Sequence, residues 1–211
     1  MTARRRFDIG FDDHLGLLSR DFSSIRLVAL HGVSGSGKST AIARLLQAHP
    51  AFRGRPCSQV TGPRIDWRRV EPTAELVTVD ECRSLRDLLG LRRLLARGHR
   101  VLAASHLPLA ASAALGLVWP AVVLPTDRDP GKIERYLTAL GADFSAERVR
   151  AFHARFRASY AWVDLILDFD GGFDFDRAYD RFERCCSVEV RRTRADPPRS
   201  CPPVRSGRPA R

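Results

Sequence analysis

A glycine-rich segment constrains this chain more than any other feature of its sequence. Residues 32–40 read Gly-Val-Ser-Gly-Ser-Gly-Lys-Ser-Thr and match the pattern G-x-x-x-x-G-K-[ST] in full. An apolar run at 26–31 precedes the segment, and apolar residues at helical spacing (Ile42, Leu45 and Leu46) follow it. A strand before such a loop and a helix after it form the context in which the loop holds phosphate groups.

The chemistry of a triphosphate accounts for the residue types in this segment. Glycine at 32, 35 and 37 lets successive main-chain N–H groups curl closely around a phosphate. The helix that follows directs the partial positive charge of its N-terminus toward the anion. We therefore expect Lys38 to bridge the β- and γ-phosphates and Ser39 to supply its hydroxyl to Mg²⁺. The predicted nucleotide-binding residues are Gly32, Val33, Ser34, Gly35, Ser36, Gly37, Lys38, Ser39 and Thr40.

A second apolar run ends in two carboxylates. Residues 76–81 read Leu-Val-Thr-Val-Asp-Glu, so Asp80 and Glu81 come at the carboxyl end of a predicted strand. Ligands bind at that edge of an open parallel sheet. Adjacent carboxylates repel each other unless a cation compensates, which favours a metal site. We expect Asp80 to hold Mg²⁺ through its water shell and Glu81 to polarise a water against the γ-phosphate.

A third apolar run, 101–104, is followed by Ser105 and His106. If this strand lies between the other two, both side chains face the γ-phosphate and its attacking water. They are then candidate catalytic residues, together with Lys38 and Glu81. A simple strand-end cap is the alternative for each of them.

Strands alternate with helices along most of the chain, which predicts an α/β fold with a parallel sheet covered on both faces. We predict strands at 26–31, near 57–61, and at 76–79, 101–104 and 121–124, with helices at 38–48, 84–97, 129–140, 145–167 and 173–186. A lead segment (1–24) precedes a three-layer α/β/α domain (25–190) with a mostly parallel central sheet, whose C-terminal helices begin near 129. Residues 191–211 contain five prolines and no apolar periodicity, which predicts a disordered basic tail.

The composition also indicates the cellular compartment and the partners to expect. No apolar run approaches the roughly 20 residues that span a bilayer, so no membrane span is expected. Five cysteines without Cys-x-x-Cys spacing and no signal-peptide pattern indicate a reduced, cytoplasmic protein. Of the net charge of +11, residues 191–211 carry +6, and 33 of the 35 basic residues are arginine, so charge alone gives weak support for a nucleic-acid partner. Four arginines on one face of the 84–97 helix suit either a phosphate backbone or a solvated surface: Arg83, Arg86, Arg93 and Arg97.

The loop at 32–40 and the strand ends at 80–81 and 105–106 together resemble the P-loop NTPases of the additional-strand, catalytic-glutamate division. That division includes ABC-type and AAA+ ATPases, and the resemblance covers about 100 residues, 26–126. It implies that Glu81 activates water, and His106 matches in position a histidine that contacts the γ-phosphate in ABC-type members. A transporter ATPase half is not expected, because the Leu-Ser-Gly-Gly-Gln segment is missing and Gln59, the one candidate for a Mg²⁺-sensing glutamine, comes early. An AAA+ arrangement would use the C-terminal helices as a lid, with Arg128 or Arg135 as a sensor arginine.

Three functions remain open from the sequence. The first is an ATP-binding, Mg²⁺-dependent ATPase that hydrolyses the β–γ phosphate bond and couples this to conformational change. The second is a small-molecule kinase that passes the γ-phosphoryl group to a bound acceptor. The third is a binding module for which slow hydrolysis acts as a switch, with a second copy or a protein partner completing the site.

Overall fold

Five apolar segments form one sheet in the computed structural model, which describes residues 12–62 and 65–193. The strands are β1 Leu27–His31, β2 Cys57–Val60, β3 Leu76–Cys82, β4 Arg100–Ser105 and β5 Ala121–Pro125. Their order is β2-β3-β4-β1-β5, and all four pairings are parallel. Strand β4 therefore lies between β1 and β3, the arrangement that the prediction for Ser105 and His106 requires.

Helices follow the strands, which confirms the predicted α/β class. Within the described residues they are α1 Lys38–Ala48, α2 Leu85–Ala96, α3 Leu109–Leu115, α4 Gly131–Leu140, α5 Ala146–Phe156, α6 Tyr160–Asp170 and α7 Phe175–Thr193, with a 3-10 turn at Trp67–Arg69. Helix α3 was not among the helices predicted from the sequence.

Helices cover both faces of the sheet, and alternate residues of a strand point to opposite sides, so each strand contributes to two separate clusters. On one face, Leu27 of β1 lies in a core cluster with Leu91 of α2. On the other face, Val28 of β1 lies in a separate cluster with Leu45 of α1. These two clusters, with the sheet between them, account for the three layers.

The C-terminal helices α4–α7 (residues 131–193, called the helical unit below) have a core of their own. It consists of buried apolar residues from all four helices, including Ile133, Leu137, Val149, Phe152, Val163, Ile166, Phe175 and Tyr179. The helical unit therefore packs around its own core, and its position relative to the sheet depends on the contacts described below.

The prediction of one helix across 145–167 is wrong, because the chain forms α5 and α6 with a break at residues 157–159. Arg157 has φ 58°, in the left-handed region that favours glycine, and it ends α5. The Ala158 N–H then donates to the carbonyl oxygen of Asp127, 3.2 Å away, just beyond β5. The sequence has no glycine or proline at this break, so the apolar spacing predicted one continuous helix.

The described part of the lead segment, residues 12–24, packs against the sheet domain, since Leu17 and Phe22 are buried in the same cluster as Leu45. Helix α7 runs to Thr193, beyond both the predicted helix end at 186 and the predicted tail boundary at 191. Residues 1–11 and 194–211, which include the rest of the predicted disordered tail, lie outside the described residues.

Candidate functional site

The glycine-rich loop, residues 32–37, connects β1 to α1 at the carboxyl edge of the sheet. Gly35 and Gly37 have φ 72° and 81°, in the left-handed region. Gly35 also lies against the start of α6, where a Cβ built at this position would be 2.4 Å from Cβ of Ala161. Only glycine fits at 35, for both conformation and space.

Lys38 begins α1 and turns its side chain back over the loop. Its Nζ donates to the carbonyl oxygens of Gly32 and Val33, each 2.9 Å away, and the residue is 5% exposed. Burial lowers the pKa of Lys38, and Glu81 and Asp80 oppose that shift. The ammonium therefore sits at the mouth of the loop, bonded to carbonyls that an incoming phosphate could replace.

The predicted metal-binding pair is assembled across the sheet. Ser39 Oγ donates to Asp80 Oδ2 at 2.8 Å, although 41 positions separate the two residues. A hydroxyl and a carboxylate are oxygen ligands of the kind that Mg²⁺ prefers. Within residues 12–62 and 65–193, no group of three or more His, Cys, Asp or Glu is arranged to hold a metal ion, so an ion here would rely on this pair together with phosphate and water.

A β-bulge directs Asp80 and Glu81 at the end of β3. Val79 pairs with Ala103 and Cys82 with Ser105, so β3 contains one more residue than β4 over this stretch. Glu81 takes φ 66°, which is unusual for a residue that has a Cβ. Its N–H donates to Asp80 Oδ1 at 2.9 Å, which fixes the two carboxylates relative to each other. Strained backbone of this kind concentrates at functional sites.

The Glu81 carboxylate lies between two basic side chains. Its Oε2 accepts a hydrogen bond from Arg83 Nε at 2.6 Å and also contacts Arg83 Nη2. Its Oε1 is 3.7 Å from His106 Nε2. Burial opposes ionisation of Glu81, but Arg83, His106 and Lys38 together outweigh that effect, so the pKa of Glu81 lies below its ordinary value. Burial, followed by the nearby Lys38 charge, lowers the pKa of His106, which favours a neutral imidazole at pH 7.

Ser105 is placed differently from His106. Its side chain is fully buried, and its Oγ accepts a hydrogen bond from the Leu107 N–H at 3.1 Å. This geometry suits the strand-end cap that the sequence left open as an alternative. His106, by contrast, is partly exposed next to Glu81, so Ser105 and His106 have different environments.

Residues after β5 hold the other side of the loop, and sequence reasoning missed them. Asp127 Oδ2 accepts from the Val33 N–H at 3.0 Å. Thr126 Oγ1 donates to the His31 carbonyl oxygen at 2.9 Å and lies 2.7 Å from Ser36 Oγ. No local motif marks these residues, because they reach the loop only through the pairing of β5 with β1.

Lys132 of α4 is a further missed residue. Its Nζ donates to the Ser36 carbonyl oxygen at 2.5 Å and to the Thr126 carbonyl oxygen at 2.8 Å, and the residue is 1% exposed. The sequence did contain a signal, since Lys38 and Lys132 are the only two lysines in the chain. Both donate to carbonyls of the same loop.

A cavity of about 280 Å³ opens beside the start of α1. The lead segment, α1, α4 and α6 all contribute to its wall, which includes Asp12, His14, Thr40, Lys132, Tyr136 and Tyr160. The Tyr136 and Tyr160 rings pack against each other with centroids 4.6 Å apart. The cavity therefore combines aromatic and polar groups next to the loop.

Of the glutamine and the two arginines that the resemblance singled out, two are exposed and one is paired with carboxylates. Gln59 is exposed on β2, at the sheet edge farthest from β5. Arg128 is exposed after β5, and Arg135 forms ion pairs with Asp12 and Asp129.

The arginine face of α2 divides into separate environments. Arg83 pairs with Glu81, whereas Arg86 and Arg93 line a surface cavity next to Trp67. The sequence pattern that grouped them therefore does not correspond to one uniform surface.

No helix within the described parts of the chain has the length and apolarity that a bilayer crossing requires. A scan against protein-family models found no matching family, and a search of curated proteins found no significant match.

Proposed function

We propose that this protein binds ATP with Mg²⁺ and hydrolyses the β–γ phosphate bond, as a P-loop NTPase of the additional-strand, catalytic-glutamate division. The observation that carries the proposal is the 2.8 Å contact between Ser39 Oγ and Asp80 Oδ2, with Glu81 next in the chain. The insertion of β4 between β1 and β3 supports the same division, because it brings His106 within 3.7 Å of Glu81.

Each residue has a defined part in this proposal. The loop N–H groups and Lys38 bind the phosphates, exchanging the two carbonyl contacts of the ammonium for phosphate oxygens. Ser39 and Asp80 hold Mg²⁺, which would neutralise charge on the β- and γ-phosphates. Glu81 accepts a proton from the attacking water as the oxygen of that water bonds to the γ-phosphorus and ADP leaves. His106, neutral and next to Glu81, is positioned to orient the water.

The cavity beside α1 is the proposed base site. It adjoins Gly37 and Thr40 and is lined by aromatic rings, which suit the flat face of a purine.

The Arg83 contact favours a second candidate, a binding module with slow turnover. A carboxylate that is hydrogen bonded to a guanidinium is a weaker base than a free one, so hydrolysis would wait until Glu81 is released. In that case a partner surface, or a second copy, would accelerate the reaction by drawing Arg83 away.

Phosphate release from purified full-length protein tests these functions. Lys38→Ala should abolish release, and Glu81→Gln should lower it by about 100-fold or more while leaving bound ATP detectable. Glu75→Gln is the matched control, because Glu75 is an exposed carboxylate paired with Arg55. Release by Glu81→Gln at the rate of the Glu75 control would refute the assigned role of Glu81.

Two further results separate the alternatives. ADP that forms only when a nucleoside or sugar acceptor is added, with no free phosphate, would indicate the kinase. Tight binding of ATP with negligible phosphate release, together with faster phosphate release in Arg83→Ala, would indicate the binding module with slow turnover. Comparing ATP with GTP tests whether the protein prefers adenine, and adding nucleic acid tests whether it stimulates phosphate release.

A further inference from the structure

Three consecutive carbonyls of the glycine-rich loop accept hydrogen bonds from the helical unit. The acceptors are the carbonyl oxygens of Ser34, Gly35 and Ser36. The donors, in the same order, are Ser159 Oγ at 2.8 Å, the Tyr160 N–H at 2.9 Å and Lys132 Nζ at 2.5 Å. The outer side of the loop is therefore held by side chains and backbone from another part of the fold.

These bonds fix the direction of the loop's N–H groups. In a trans peptide the C=O and the following N–H point to opposite sides of the chain. Holding the carbonyls at 34, 35 and 36 therefore turns the N–H groups of Gly35, Ser36 and Gly37 away from the helical unit. The N–H groups of Gly35 and Gly37 are ones that a phosphate in this loop would use, whereas the Ser36 N–H donates to the Val33 carbonyl oxygen at 3.3 Å.

Ser159 makes an unusual contact for its position. Serine at a helix N-cap ordinarily accepts a hydrogen bond from the first turn of its own helix. Ser145 does so at the start of α5, where it accepts from the Arg148 N–H. Ser159 precedes α6 but makes no such cap bond, since its hydroxyl donates to the loop instead. It is fully buried, so this contact is sheltered from water.

Lys132 brings a charge as well as a hydrogen bond. No ion pair neutralises it within the described residues, and its Nζ lies 4.4 Å from the centroid of the Tyr160 ring. Burial lowers the pKa of Lys132 to about 8, with Asp127 and Asp12 opposing the shift. A buried ammonium bonded to neutral carbonyls is well placed to stabilise an anion inside the loop.

We propose that Ser159 and Lys132 are positioning residues through which the helical unit sets the phosphate affinity of the glycine-rich loop. The proposal rests on the function proposed above and deepens it. Because the break between α5 and α6 places Ser159 and Tyr160 against the loop, any movement of α4 or α6 changes how the loop N–H groups are aimed.

Binding of two probes to the full-length protein tests this proposal. The probes are ADP and inorganic pyrophosphate, measured by calorimetry with Mg²⁺ at pH 7. The test variants are Ser159→Ala and Lys132→Met. The controls are Ser145→Ala, which removes an N-cap of the same unit, and Arg148→Met, which removes a partly exposed charge of that unit that is paired with Asp180.

We expect the dissociation constants of ADP and pyrophosphate to rise together, by roughly tenfold or more in each test variant, and to change little in the controls. A merely structural defect would lower the melting temperature of the ligand-free protein, so that temperature is recorded for every variant. Should Lys132→Met fold poorly, Ser159→Ala still decides the matter, because it removes a different bond.

Other outcomes overturn the proposal in distinguishable ways. Weaker ADP binding with unchanged pyrophosphate binding would place Lys132 in the base cavity instead. Unchanged binding of both probes by the test variants would show that the loop keeps its shape without these contacts. If the unaltered protein binds neither probe, the proposed function fails, and this inference fails with it.

Discussion

Replacing Glu81 by glycine and by alanine should reverse the usual stability order of these two residues. Glycine in a strand ordinarily destabilises by about 0.5–1 kcal/mol relative to alanine, because it loses more backbone freedom on folding. Glu81, however, has φ 66°, where a residue with a Cβ is strained by about 1–2 kcal/mol. The second effect exceeds the first, so Glu81→Gly should be more stable than Glu81→Ala by about 0.5–1 kcal/mol.

The comparison isolates the backbone. Both variants lose the carboxylate, and with it the contacts to Arg83 and His106, so those losses cancel in the difference. Urea denaturation at pH 7 measures the free energy of unfolding, and equal m-values for the two variants would validate the comparison. Gln59, exposed on β2 with an ordinary φ, provides the control pair, for which alanine should be the more stable.

If Glu81→Ala equals or exceeds Glu81→Gly in stability, the left-handed conformation is not maintained by the fold, and the bulge does not direct the carboxylate as described. The expected result has a functional meaning as well. Both variants should lose phosphate release, so a strained glutamate would be kept at this position despite its cost to stability.

Two other predictions concern α2 and α4. Gly90→Ala should destabilise the fold by about 1–3 kcal/mol in the same urea assay, although alanine ordinarily favours a helix, because a Cβ there would be 2.2 Å from Cε2 of Trp67. An unchanged or higher stability would show that the indole can move aside. Burial lowers the pKa of Lys132 to about 8, so this ammonium is progressively lost above that pH. The affinity for ADP should therefore fall between pH 7.5 and 9.5, and it should fall more steeply in the unaltered protein than in Lys132→Met. Identical pH profiles would contradict a charged role for this lysine. The charged and titratable groups around this ammonium are Asp12, His14, Lys38, Asp127, Asp129 and Tyr160.

The pH dependence of stability has the opposite sign from that of binding. In the unfolded chain Lys132 keeps an ordinary pKa near 10.5, so between about pH 8 and 10.5 the unfolded state holds a proton that the folded state has lost. The contribution of this group to stability therefore rises with pH across that window. Weaker binding above pH 8 would then not be a consequence of unfolding caused by Lys132.

The sequence by itself determined the sheet, the loop and the acidic strand end. Each of these features is local. Short apolar runs predict strands, apolar residues at helical spacing predict helices, and the spacing of glycines, lysine and serine predicts the loop. Asp80 and Glu81 come at the end of an apolar run, so their place near the carboxyl edge of β3 followed from that run alone. The three-layer arrangement followed in turn, because parallel strands need helical crossovers on their faces.

Only the tertiary structure decided which distant residues complete the site. The break at Arg157 carries no glycine or proline, and it exists because Ala158 and Tyr160 find backbone partners on other elements. The positive φ of Glu81 depends on the register of β3 against β4, which no local pattern encodes. Ser159 and Lys132 reach the loop from positions about 100 or more residues away in the chain, since hydrogen bonds and packing act through space rather than along the sequence.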